Sequence, residues 1–246
     1  MAKGLESLSA KEYPGRVIII GRDKSGKNEV VIYAITGRSP SSQARKLELE
    51  DDAIWTKPTD DETLKKENTD LLVYPAILFS RGIAVSNGKQ TMDIKACFGQ
   101  GQNPEEVLAL ALHKWDYEPD SPIFTPRISG CVLPQEKAAL SIIKRAPDGS
   151  SMRSIYEILL IAGMGKMITT YRGENKDPLP AFTGEPIDIE IKEERADDMA
   201  EAVYDALGPG AGKRDYRVSV ACVFSSNVSS DKYEIYIINK YERMRK

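Results

Sequence analysis

The sequence predicts an α+β fold in which a few helices are layered on largely antiparallel sheets. Short segments rich in β-branched and aromatic residues recur along the chain, and polar turn residues separate neighbours as in hairpins. Convincing helical periodicity is confined to few places. No internal repeat or low-complexity linker divides the 246 residues, so one large domain is expected.

The first pair of strands, 16–20 and 29–36, encloses Gly21-x-x-x-x-Gly26-Lys27, one residue short of a phosphate-binding P-loop. Position 28 is Asn rather than Ser or Thr, and EVVIYAI follows where a P-loop needs a helix. The segment therefore reads as a hairpin whose turn chemistry comes from Asp23, Ser25, Gly26 and Asn28. Further strands are expected at 71–79, 82–86, 127–133, 138–144, 155–162, 165–171, 216–224 and 233–239. A helix is expected over 104–115, with Asn103 as N-cap, Pro104 in the first helical position and Glu105 and Glu106 in the first turn. A second is expected over 197–207, where Met199, Val203 and Leu207 share a face and Gly208 can end it. The charged stretch 48–70 reads as an exposed excursion and 173–194 as a connection rich in Pro and Glu.

Composition narrows the function classes. With 34 basic against 37 acidic residues and a net charge of -3, no global field favours a nucleic-acid backbone or an acidic membrane. No apolar run approaches the roughly 20 residues of a membrane span, and no signal-like segment opens the chain, so a cytoplasmic protein is expected. Cys97, Cys131 and Cys222 are odd in number and far apart, which argues against a disulfide framework or a thiolate zinc site. The single histidine, His113, excludes histidine-rich metal sites and leaves acid–base chemistry to Glu, Asp, Tyr, Lys or Arg.

Three segments gather functional groups. GRSPSSQAR places Arg38, Ser39, Ser41, Ser42 and Arg45 in one loop, where guanidinium forks and hydroxyls suit a phosphate monoester, solvated arginines being the ordinary alternative. AVSNGKQTMDI carries the hairpin signal Asn87-Gly88, yet crowds Ser86, Asn87, Gln90 and Thr91 around it, which suits a base or carboxamide. KWDYEPDSPIFTPRISG follows the first helix with Asp116, Tyr117, Glu118 and Asp120 and runs to Thr125, Pro126 and Arg127. Carboxylates at a helix C-terminus oppose the macrodipole, a local cost that either a functional role or surface exposure would explain.

In this order, Tyr13-Pro14-Gly15-Arg16, Gly21-Arg22, Gly37-Arg38-Ser39 with Arg45, Tyr74, Ser86-Asn87-Gly88 with Gln90-Thr91, Asp116-Tyr117-Glu118 and Thr125-Pro126-Arg127-Ile128 resemble the archaeal-type IMP cyclohydrolase family. The resemblance spans most of residues 13–130. It implies a four-layer αββα sandwich similar to the N-terminal-nucleophile hydrolases, as a single domain over 13–246 behind a disordered leader of 1–12. The implied reaction closes formamidoimidazole carboxamide ribonucleotide to inosine monophosphate and water, the last step of purine synthesis. The alternatives are a relative acting on another nucleotide or cyclic amide, and a purine-nucleotide-binding protein without catalysis. By position, Arg45, Tyr74 and Glu118 match the family's catalytic residues, while Arg38, Ser39, Asn87, Gly88, Gln90, Thr91 and Arg127 would bind or orient the nucleotide. No cofactor or metal is expected, and the family's members suggest a homo-oligomer. Two features depart from the pattern: Pro75 stands where Asn follows the tyrosine, and the 48–70 stretch is longer.

Overall fold

A computed structural model describes residues 4–60, 73–101, 103–135, 137–230 and 232–244. The strands are β1 (Arg16–Arg22), β2 (Glu29–Thr36), β3 (Arg45–Glu50), β4 (Ala53–Pro58), β5 (Tyr74–Phe79), β6 (Ile83–Ser86), β7 (Arg127–Leu133), β8 (Lys137–Arg145), β9 (Ser151–Leu159), β10 (Met164–Thr169), β11 (Ile187–Glu190), β12 (Arg217–Ser225) and β13 (Glu234–Asn239). They form a six-stranded sheet, in the order β11-β10-β1-β2-β12-β13, and a seven-stranded sheet, in the order β3-β4-β5-β6-β7-β8-β9. Neighbours within both sheets pair antiparallel.

Alternation of side chains along each strand divides the apolar residues into three layers. Ile18, Ile20, Val31, Tyr33 and Ile35 of the first sheet meet Leu47, Ile54, Ile77, Val85, Ile128 and Leu140 of the second, forming the core between the sheets. The outer face of the six-stranded sheet, including Val17, Ile19, Ile32 and Cys222, is covered by Met199, Ala200 and Val203 of α5 (Ala196–Ala206). The outer face of the seven-stranded sheet, including Ala84, Cys131 and Ala139, is covered by α3 (Gln90–Ala96) and α4 (Pro104–Leu112). Helix, sheet, sheet and helix thus stack in the αββα order. The short helices α1 (Glu6–Ser9), α2 (Pro40–Gln43) and α6 (Lys240–Arg243) lie outside these layers' main spans. No helix among the described residues is long and apolar enough to cross a membrane.

Local chemistry sets the boundaries. The β1–β2 turn is tied by Asp23, whose carboxylate accepts the backbone N–H groups of Lys27 and Asn28 at 2.9 and 3.1 Å, which accounts for the P-loop-like spacing as a hairpin. Asn103 caps α4 by accepting the Glu106 N–H at 2.9 Å. This helix stops at Leu112, with exposed His113 as its C-cap.

Several expectations need correction. The excursion assigned to 48–70 is folded over its first part, because β3 and β4 pair as a hairpin from Arg45↔Pro58 to Glu50↔Ala53. Its charges occupy exposed and half-buried positions of an edge hairpin, where Lys46 and Lys57 pair with Glu48, while Leu47, Ile54 and Thr56 turn inward. Residues 61–70 of that stretch, and 71–72 of the strand expected over 71–79, lie outside the described residues. The connection 173–194 contains β11, paired to β10. The strand expected at 155–162 begins instead at Ser151, since polar residues are tolerated on the sheet edge that β9 occupies. Within the expected leader, α1 is helical and Leu8 is fully buried against the α5 side of the first sheet. Finally, Asn87-Gly88 leads into helix α3 rather than a hairpin.

Candidate functional site

Where the two sheets part near the beginning of β1 and the end of β2, a cavity of about 250 Å³ opens. Its lining includes Arg16, Arg45, Tyr74, Glu118, Asp120 and Tyr171. Arg16 opens β1 and donates from Nη1 to the Thr36 carbonyl at the end of β2, at 3.0 Å. Arg45 opens β3 on the opposite sheet. In both guanidiniums Nε is buried without a protein partner. Burial foremost, and then the neighbouring Arg16 cation, lower the Arg45 pKa, opposed by Tyr74, Tyr33 and Glu118.

Tyr74 lies between these arginines as the first residue of β5. Its backbone is fixed by Thr56 of β4, whose hydroxyl accepts the Tyr74 N–H at 3.2 Å and donates to its carbonyl at 3.1 Å. Pro75 follows at the point where the β4–β5 register shifts, as a residue without an N–H requires. The Tyr74 hydroxyl is 2.9 Å from that of Tyr33, which rises from β2 in the other sheet.

Glu118 approaches from the loop after α4. Its N–H donates to the Thr125 carbonyl at 2.9 Å, and Asp120 accepts the Thr125 N–H at 2.6 Å, so the loop closes on itself. The Thr125 hydroxyl in turn meets that of Tyr171 at 2.9 Å. Arg127 Nη1 stands 3.5 Å from a Glu118 oxygen, a long contact for an ion pair. Arg127 is held in place by donating from Nε to the Asp116 carbonyl at 2.8 Å and from Nη1 to Gln90 Oε1 at 3.2 Å, with Trp115 against its face. Burial dominates at Glu118. It pushes the carboxyl from its ordinary 4.5 up to about 7, against the pull of Arg127 and, more weakly, Arg16 and Arg45, while Asp120 adds to the rise.

The lining also includes aromatic and apolar residues. Tyr13 stacks on Tyr171 with ring centroids 5.7 Å apart and meets the edge of Tyr216, and Ile123 and Leu179 pack beside them. The cavity therefore combines cations, a raised carboxyl and aromatic rings in one lining.

The structure brings together Arg45, Tyr74 and Glu118, with Arg38, Ser39 and Asn87 also on the lining. Arg38 is half-buried at the rim, and its contacts to Asn175 Oδ1 and the Lys176 carbonyl, both 3.4 Å, are long. Ser39 caps α2 by accepting the Ser42 N–H at 3.1 Å. Gly88, Gln90, Thr91 and Arg127 do not line the cavity. Their polar groups satisfy one another beneath it. Asn87 donates to the Pro126 carbonyl and accepts from Ile128 N–H and Gln90, while the Thr91 hydroxyl bonds the Gly88 carbonyl. A Cβ on Gly88 would come within 2.5 Å of Gln90 Oε1 and 2.8 Å of Arg127 Nη1, so a side chain there would displace the ends of both. In the structure this cluster braces Arg127 and the loop carrying Glu118, and Asn87 is its member on the cavity lining.

Arg16, Asp120 and Tyr171 line the cavity although the sequence assigned none of them a site role, Arg16 and Asp120 standing only within its motifs. The available signal for Arg16 was a lone cation opening an otherwise apolar strand within Tyr-Pro-Gly-Arg. Tyr33 gave no such signal, since tyrosine is an ordinary strand residue. Among the described residues, no group of three or more His, Cys, Asp or Glu side chains is arranged to hold a metal ion.

A family model described as IMP cyclohydrolase-like protein matches residues 13–229 of the chain. Among curated proteins, an IMP cyclohydrolase from Methanothrix thermoacetophila is 31% identical over 168 residues, covering 68% of this chain and 78% of that protein.

Proposed function

The chain belongs to the IMP cyclohydrolase-like family, and we propose that it closes the ring of formamidoimidazole carboxamide ribonucleotide to give inosine monophosphate and water. The observation that carries this reading is Glu118, a carboxyl raised to about 7 in the same cavity as Arg45 and Tyr74. The reaction needs one group that both accepts and returns a proton near neutrality, and donors facing the oxygen that leaves.

In the proposed sequence, ionised Glu118 takes a proton from the carboxamide nitrogen as that nitrogen bonds to the formyl carbon. Tyr74 gives its proton to the formyl oxygen, producing a neutral carbinolamine, with the Arg16 and Arg45 cations beside the charge that develops. The carbon–oxygen bond then breaks, and the hydroxyl leaves as water with the proton held by Glu118. The formamido N–H proton goes to Tyr74, restoring both side chains. Both reacting groups already belong to one molecule, so orientation is the protein's main task. The Tyr13–Tyr171 pair suits the face of the base, and Arg38 at the rim suits the phosphate. The scheme uses side chains alone, so turnover should persist in excess chelator.

The test is to incubate the protein with the formamido nucleotide and follow the absorbance of the purine as the ring closes. Saturable turnover supports the proposal. Binding of inosine monophosphate without turnover would refute it in favour of a nucleotide-binding role.

A further inference from the structure

We propose that Tyr33 is a positioning residue that directs the Tyr74 proton into the cavity, an inference that rests on the reaction proposed above. Tyr33 does not line the cavity, yet its hydroxyl is 2.9 Å from that of Tyr74, and both side chains are buried between the sheets. Each phenol has one proton to give. If Tyr74 gave its proton to Tyr33, the cavity would face only a lone pair, and no acid would meet the formyl oxygen.

The surroundings decide the direction. The charged groups facing Tyr33 are the guanidiniums of Arg16 and Arg45, which donate and never accept. The Tyr74 oxygen is therefore the acceptor left for the Tyr33 proton. Burial, followed by the neighbouring Tyr74, holds the Tyr33 phenol well above its ordinary range, which keeps that proton in place. The Arg16 cation also lies near the Tyr74 hydroxyl. With the Tyr74 oxygen accepting from Tyr33, its own proton is free for the cavity that Tyr74 lines. When that proton passes to the formyl oxygen, the Tyr33 hydroxyl and the nearby Arg16 cation hold the phenolate until the formamido proton arrives.

Tyr33→Phe keeps the ring and removes only the donor. We expect kcat to fall roughly 10- to 100-fold, the worth of a hydrogen bond to a charged group, with KM within about twofold. In a Tyr74→Phe background the same change should have no further effect on kcat, because Tyr33 acts through Tyr74. The infrared C–O stretch of isotope-labelled Tyr74 should shift in Tyr33→Phe, as its oxygen loses a donor. This last readout needs no turnover: a wild type that fails to close the ring refutes the reaction, whereas an unshifted band refutes the Tyr33 assignment. Wild-type kcat in Tyr33→Phe, or an equal further loss in the Tyr74→Phe background, would also overturn it.

Discussion

Tyr33 and Tyr74, on strands of different sheets, bring their phenolic oxygens to 2.9 Å across the core that joins those sheets. Tyr74 also lines the cavity, so the deepest part of the candidate site is continuous with the sheet-to-sheet packing. If Tyr74 supplies the proton for the formyl oxygen, Tyr74→Phe should lower kcat by roughly 10² to 10⁴. Calorimetry with inosine monophosphate should show binding retained. A variant that turns over normally would remove Tyr74 from the chemistry.

Arg45 is half-buried beside a second cation, an arrangement that desolvation and like charge both oppose. Arg45→Lys retains a charge but loses the planar fork, and its ammonium would be harder to hold in a dry site. We expect at least a roughly tenfold loss of kcat/KM. Steady-state kinetics at the wild-type level would leave Arg45 as a packing residue.

The layers were legible in the sequence wherever a strand is apolar on both faces. RVIII, EVVIYAIT and RISGCVL each lie between two covered faces, and their signals are continuous. β3 and β4 were obscured because an edge hairpin needs few inward side chains, leaving Leu47 and Ile54 among charges. α3 was obscured by Asn87-Gly88, where the deciding influence is the sheet face on which Ile94 packs. At the site, Arg45, Tyr74 and Glu118 came from the resemblance, and the cavity gathers them from two strands and a loop. Tyr33 could not be read, because its significance lies in a contact between residues 41 positions apart.

Arg127 pulls the Glu118 carboxyl down against the effect of burial. Arg127→Gln removes that pull, so the Glu118 pKa should rise above its value of about 7. The acid limb of the kcat/KM profile should move to higher pH. An unmoved limb would mean that Arg127 does not act on the titrating group.

Glu118 also links stability to pH. Its folded pKa of about 7 lies above the ordinary 4.5, so over that window the folded protein holds a proton that the unfolded chain releases. Its contribution to stability is full below the lower value and is lost as pH rises through the upper one. Glu118→Gln should therefore be more stable than wild type at about pH 8, by on the order of 1–3 kcal/mol, with the gain shrinking towards about pH 4. Denaturant unfolding at the two pH values measures it, and a pH-independent difference would contradict a raised carboxyl.

In the proposed reaction Glu118 carries the proton. The most direct test of that role is the pH dependence of ring closure in wild type and Glu118→Gln, with inosine monophosphate affinity as the control. Affinity should stay within about twofold, turnover should fall by roughly 10² to 10⁴, and an acid limb near 7 should be present in wild type and absent from the variant. A Glu118→Gln protein that closes the ring at the wild-type rate, with the same limb, would contradict it.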